Sequence, residues 1–284
     1  MKKKSILIIL GTLFCSNILA WIWVFQINHA NLEVTFFDVG QGDAIFIETP
    51  LGHQILIDGG PDSTVIERLG KEMSFYDRTL DLMVLTHPDH DHIAGLIEVL
   101  KRYRVENILW TGVLKDSAEY KEWQRLIQEE GAKIYIAQAL QRLSLDQPRL
   151  SLDILYPFES FEGKTVSNTN NTSVVVRLVY AQNSFLFTGD AYKSVERNLL
   201  GKGIDVDILK VSHHGSKTSS AEEFIKEVSP DIAVISAGRD NSYGHPNQET
   251  LDILTKYDIN ILRTDLDGNV KITSNGKTYD ISSL

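Results

Sequence analysis

The chain has 284 residues, 43% of them hydrophobic and 23% charged, a balance that suits a folded core and excludes a low-complexity or disordered chain. Its formal net charge is −10 at pH 7, with Lys2, Lys3 and Lys4 gathered before the first apolar segment, so the remainder is more acidic still. That counts against a broad basic nucleic-acid-binding face and leaves a local patch or a bound divalent metal as the means of receiving phosphate. The one cysteine, Cys15, lies inside the apolar segment, which excludes an intrachain disulfide and a cysteine-rich zinc site.

From Ile6 to Ile27 there is no charged residue, and about twenty apolar residues suffice to cross a bilayer. The preceding lysines, with Trp21 and Trp23 near the far end, match the positive-inside rule and the interfacial tryptophan belt, so the rest of the chain is expected on the outer side of a single-pass membrane protein. A cleaved signal peptide, giving a secreted protein, is the alternative. Its apolar region would be only about 7 to 15 residues, followed by small residues. Here Trp21-Ile22-Trp23-Val24-Phe25 continues the run, Asn28-His29-Ala30 is a weak cleavage sequence, and Leu13 and Phe14 disfavour lipoprotein processing at Cys15. Residues 1–30 are therefore read as an anchor and 31–284 as the folded domain it carries.

Leu32 to Phe37, Ala44 to Glu48 and Gln54 to Ile57 read as short strands, the first two separated by Gly40-Gln41-Gly42-Asp43 and the third ending at the turn Asp58-Gly59-Gly60-Pro61. An amphipathic stretch through Val65, Ile66 and Leu69 follows. The apolar run Leu82 to Leu85 then leads into His87, and Ile93, Leu96, Ile97 and Leu100 space out a helix just beyond it. Further on come a strand near Ile108, a helix from about Ser117 to Glu130, and strands at Lys133 to Ile136, Leu152 to Leu155, Ser173 to Val179, Ser184 to Phe187, Asp207 to Val211 and Ile232 to Ile235, with a long loop from Glu159 to Thr172. Mixed elements of this kind predict an α/β chain of two stacked sheets covered outside by helices.

Within six residues, His87, Asp89, His90, Asp91 and His92 offer three imidazoles and two carboxylates on a strand-to-helix loop. An N-cap role for Asp91 would explain one carboxylate and no histidine, whereas imidazole with carboxylate is the usual ligand set for divalent metals. Asp190, at the end of Phe187-Thr188-Gly189-Asp190, is an oxygen donor able to bridge two ions. Ser212-His213-His214-Gly215-Ser216 follows another strand, so that one histidine can bind metal while its neighbour reaches substrate; which does which stays open. Ser216 and Lys217 are candidates for holding an anionic oxygen. His245, in Tyr243-Gly244-His245-Pro246, is a weaker signal.

Taken in order, Phe37-Asp38-Val39-Gly40-Gln41-Gly42-Asp43-Ala44, Ile57-Asp58-Gly59-Gly60, Leu85-Thr86-His87 through Gly95, Asn170-Asn171-Thr172-Ser173, Phe187 to Asp190, Ser212 to Ser216 and Tyr243 to Pro246 resemble the metallo-β-lactamase superfamily, most closely its ComEC-like branch. The resemblance implies an αββα sandwich with two divalent ions, zinc or manganese, at one edge. His87 and Asp89 would hold one ion, Asp91, His92 and His214 the other, and Asp190 would bridge. His213 and His245 would touch the scissile phosphate, Asn171 would donate to it, and Asp89 or Asp91 would orient the attacking water. Asp89 stands where the superfamily has a histidine, and a further histidine expected near Asn170 to Ser173 is missing. Both departures enrich the site in oxygen and favour manganese.

The implied activity is metal-dependent phosphodiester hydrolysis, with DNA as the substrate by analogy with competence, the alternative being a small phosphodiester or envelope component as in the phosphorylcholine-esterase branch. ComEC proteins join such a domain to a multi-helix channel, whereas one apolar segment is expected here, so the DNA role comes by analogy alone. A binding module with a decayed site is the third reading, and the intact acidic and histidine set argues against it.

Overall fold

The computed structural model describes residues 3–28, 31–144 and 149–283. Helix α1 (Lys3–Asn28) is long and apolar enough to cross a membrane, and its large side chains from Ile6 to Trp21 stand exposed. Of the weak cleavage sequence, His29 and Ala30 lie outside the described residues.

Two halves then repeat one plan. Strands β1 (Leu32–Phe36), β2 (Ile45–Glu48) and β3 (Gln54–Ile57) form an antiparallel meander. Parallel β4 (Thr79–Val84), β5 (Arg104–Trp110) and β6 (Lys133–Ile136) follow, reached through α2 (Thr64–Glu72), α3 (His90–Leu100) and α4 (Ala118–Glu130). In the second half β7 (Arg142–Ser144), β8 (Leu150–Tyr156), β9 (Val175–Tyr180) and β10 (Asn183–Phe187) are antiparallel. Parallel β11 (Ile208–Lys210), β12 (Ile232–Ile235) and β13 (Asn260–Arg263) follow through α5 (Lys193–Leu199), α6 (Glu222–Val228) and α7 (Gln248–Lys256). After the short α8 (Thr264–Asp267), the last strands, β14 (Val270–Ser274) and β15 (Tyr279–Ser283), return to the first sheet beside β1.

The period of two along each strand divides the side chains between layers. Val34, Phe36, Ile47 and Ile55 of the first sheet meet Val176, Phe185, Phe187 and Val234 of the second. The alternate residues Phe46, Leu56 and Met83 pack under Leu69, Ile93, Leu96 and Trp123 of the outer helices, and Leu186, Leu209 and Ala233 pack under Val195, Phe224 and Leu254. The result is the expected αββα sandwich. Strand limits move by up to three residues from the sequence reading, most at β4, which begins at Thr79, and Ser117 caps α4 by accepting from the Tyr120 amide instead of opening the helix.

Candidate metal centre

Parallel strands end on the same side, so the loops after β4, β10 and β11 meet at one edge of the sandwich. Helix α3 begins at His90, which places Asp91 inside its first turn, and Asp89 at the N-cap makes no capping hydrogen bond. Neither carboxylate serves the helix terminus. His90 points away and faces Glu119 at 3.4 Å.

Asp190 Oδ2 is the hub: it lies 3.3 Å from His92 Nε2, 3.5 Å from His214 Nε2, 3.9 Å from His87 Nε2 and 3.7 Å from His213 Nε2. Asp91 Oδ2 stands 3.3 Å from His214 Nε2. Donor atoms of Asp91, His92, Asp190 and His214 all fall within 4.8 Å of one another, which brings together residues over a hundred positions apart in sequence.

The tautomers follow from the partners of the other ring nitrogens. His92 Nδ1 sits 2.8 Å from Asp58 Oδ2 and His214 Nδ1 2.9 Å from the Ser236 carbonyl, and both partners can only accept. Thr86 Oγ1 gives its proton to Asp58 at 2.7 Å, so at 3.0 Å it must accept from His87 Nδ1. All three rings therefore carry hydrogen on Nδ1 and turn Nε2 into the cluster. These three buried Nε2 atoms, with Asp190 Oδ1, have no hydrogen-bond partner. Buried polar atoms are rarely left so, and an imidazole held by its far nitrogen is the usual arrangement of a metal ligand. The donor set fits a divalent cation.

The electrostatics agree. Burial opposes charge on His92, yet Asp190, Asp58 and Asp91 hold its pKa well above the ordinary histidine value. Burial likewise opposes charge on His214, which Asp190 and Asp43 push well up. The middle of the cluster is a place for positive charge. Burial, with His92 beside it, pushes His87 down. Burial and the charges of His214 and His213 lower His245 to about 4.

Two adjacent histidines in left-handed backbone, His213 (φ 50°) and His214 (φ 53°), turn their rings apart. Such a conformation is costly for non-glycine residues and concentrates at functional sites. It sends His214 into the cluster and leaves His213 half-buried, stacked on Tyr192 with centroids 5.2 Å apart and its Nδ1 2.9 Å from Thr218 Oγ1. His245 lies across from both, 5.5 Å from the His213 ring. Ser216 Oγ is engaged with Thr218 at 3.0 Å, and Lys217 is exposed. Asn171 turns to Ser194 at 3.4 Å, and its neighbour Asn170 brings its amide to 3.5 Å from His213 Nε2. The cause is the 3₁₀ turn Asn170–Thr172, which sends successive side chains about 120° apart.

Asp89 departs from the expected arrangement. Its Oδ1 accepts from Lys115 Nζ at 2.7 Å and from the Thr169 hydroxyl, while its Oδ2 is 4.0 Å from His87 Nε2. Sequence reasoning also missed Lys210, a fully buried lysine that pairs with Asp43 and donates to the Gly189 carbonyl at 3.0 Å. Burial raises Asp43, but Lys210 and His214 outweigh it and hold the carboxyl at about 2. A charged residue inside the apolar run Ile208-Leu209-Lys210-Val211 was the available signal.

The family model of the metallo-beta-lactamase superfamily matches residues 37–239. ComE operon protein 3 of Bacillus subtilis is 32% identical over 279 residues, covering 90% of this chain and 35% of that protein. Competence protein ComA of Neisseria gonorrhoeae is 32% identical over 83% of this chain and 31% of its own length, and Recombination protein 2 of Haemophilus influenzae is 30% identical over 87% and 29%. The chain thus spans about a third of the length of these ComEC-related relatives. Among solved structures, the metallo hydrolase Igni18 of Ignicoccus hospitalis superimposes with a TM-score of 0.58 at 17% identity over 85% of this chain and 98% of that one. YhfI of Bacillus subtilis gives 0.54 at 15%, over 81% and 96%. The chain belongs to the metallo-beta-lactamase superfamily, a fold of metal-dependent hydrolases.

Proposed function

Starting from that membership, we propose that the protein is a metal-dependent phosphodiesterase, a nuclease acting on the outer side of a membrane to which α1 anchors it. The observation that carries the reading is the convergence of the buried His92 and His214 Nε2 atoms on Asp190 and Asp91. These four residues would hold the cation, which when bound supplies Lewis acidity toward a phosphoryl oxygen and lowers the pKa of water. Manganese is favoured over zinc because two carboxylates, Asp91 and Asp190, share the site equally with two imidazoles.

The chain's own groups do the rest. Asp58 and the Ser236 carbonyl keep His92 and His214 in the ligand tautomer. His213, clamped between Tyr192 and Thr218, and His245 opposite it would bind and orient the phosphate, with the Asn170 amide beside them. Ser216 steadies Thr218, and exposed Lys217 is free to meet a flanking phosphate.

Lys3 and Lys4 at the start of α1 and Trp21 in its second half support the outward orientation. The competence and recombination names of the relatives make DNA the first substrate to try. The net charge of −10 favours the second reading, a small phosphodiester or envelope component.

The test uses the full-length chain in detergent, stripped with chelator and reloaded with Mn²⁺ or Zn²⁺, on single-stranded DNA and bis(p-nitrophenyl) phosphate. Metal-dependent cleavage of both is expected. Cleavage of the small ester alone selects the second reading, and equal rates with and without metal overturn the proposal.

A further inference from the structure

We infer that this chain holds a single divalent cation and that the Lys115 ammonium stands where the superfamily pattern would put a second ion. The inference rests on the proposed function only in taking Asp91, His92, Asp190 and His214 as the site of a cation.

A second ion would need donors around His87 Nε2, and the residues present do not fit it. Asp89, whose Oδ2 lies 4.0 Å from that nitrogen, is held through Oδ1 by Lys115 at 2.7 Å and by the Thr169 hydroxyl, and Asp190, at 3.9 Å, already belongs to the first cluster. Among the described residues, His87, Asp89 and Asp190 do not close into a cluster as tight as that of Asp91, His92, Asp190 and His214. The turn at residues 170–173 offers no imidazole. Its Ser173 hydroxyl already accepts from the Asp190 amide at 3.1 Å and lies 3.4 Å from the Nδ1 of His87, the ring edge turned away from the cluster.

The charge balance points the same way. Asp91 and Asp190 together carry two negative charges, which one dication neutralises. Asp43 is matched by Lys210, and Asp89 by Lys115 at 2.7 Å. A second dication on the His87 side would lie against the Lys115 ammonium and compete with it for the charge of Asp89.

Lys115 is not a roving surface lysine. Its loop is sewn to the one carrying Thr169: the Leu114 amide donates to the Lys164 carbonyl at 2.8 Å and the Gly163 amide to the Gly112 carbonyl at 3.0 Å. Lys115 and Thr169 therefore reach the same oxygen of Asp89 from loops of the two halves. The ammonium group is partly exposed and becomes the cation on the His87 side toward which an anionic substrate oxygen can turn.

The decisive measurement is metal stoichiometry, independent of turnover. Full-length protein in detergent is stripped with chelator, equilibrated with Mn²⁺ alone, and read by elemental analysis and manganese electron paramagnetic resonance. The wild type should take up one equivalent with an isolated-ion spectrum. Lys115→Met, which frees Asp89, should double the bound metal and show exchange-coupled ions, and Lys115→Arg should stay at one. Two equivalents in the wild type would overturn the inference and leave the proposed function standing. A Lys115→Met chain that stays at one overturns the role given to Lys115. A wild type that binds neither Mn²⁺ nor, in a parallel loading, Zn²⁺ removes the proposed function along with it.

Discussion

Gly59 and Gly95 meet backbone to backbone: a Cβ on Gly95 would lie 1.8 Å from the Gly59 carbonyl oxygen, and one on Gly59 2.3 Å from the Leu96 amide nitrogen. Hydrogen bonds from Gly59 N to the His92 carbonyl and from Gly95 N to the Gly60 carbonyl hold the contact. It seats the first turn of α3 on the turn after β3, so that Asp58 reaches His92. Gly95→Ala must lift the helix, at a cost of about 3 kcal/mol for an overpacked backbone contact. Denaturant unfolding and Mn²⁺ titration should show stability and cation affinity falling together; a variant with wild-type stability would mean the contact is looser than described.

Asp91 and His245 should separate binding from turnover. Asp91→Asn removes one of the two carboxylates of the cluster, so bound metal and activity should vanish together. His245→Ala leaves the four donors intact and should retain the metal while slowing cleavage about a hundredfold. Elemental analysis beside initial rates checks both, and metal loss from His245→Ala would place that ring among the ligands.

Lys210→Met should be costly. It strands the Asp43 carboxylate in a buried site, a change worth about 3–5 kcal/mol when one partner of a buried pair is lost. Adding Asp43→Asn should recover much of that loss, so the double variant will be less destabilised than the two single ones summed. Additive losses in denaturant unfolding would show the pair to be energetically independent.

Glu196 predicts a pH dependence away from the cluster. Burial raises its carboxyl from 4.5 to about 7, despite amide hydrogen bonds from Ala221 and Ser220. Between those values the folded chain keeps a proton that the unfolded chain has released. The stabilisation is therefore complete below the unfolded value, fades as pH rises through about 7, and is absent above it. The span is roughly 3 kcal/mol. Glu196→Gln should flatten the decline, measured by denaturant unfolding from about pH 5 to about pH 8; an unchanged slope would assign it to another group.

Much of this was legible in the sequence because it is local. His87 to His92, Asp190 and His213 to His214 each follow an apolar strand, and strand ends are where side chains can converge. What was not legible depends on how the halves face each other. Lys210 finds Asp43 across the two sheets, and Lys115 finds Asp89 from a loop that shows no charge pattern of its own. Which of His213 and His214 enters the cluster turns on left-handed dihedrals that spacing does not encode, and which of Asn170 and Asn171 faces His213 on the phase of a single turn. The C-terminal β14 and β15, joined to the first sheet, pass over the chain's longest sequence gap, which no periodicity reports.

Asp91 and His92 belong to the first half of the chain, Asp190 and His214 to the second. Neither half alone offers more than a pair of donors to a central ion. During synthesis, when the N-terminal half emerges first, the four-donor centre does not yet exist; it is completed only where the second sheet closes on the first, so the compartment of folding bears on which cation can be taken up there.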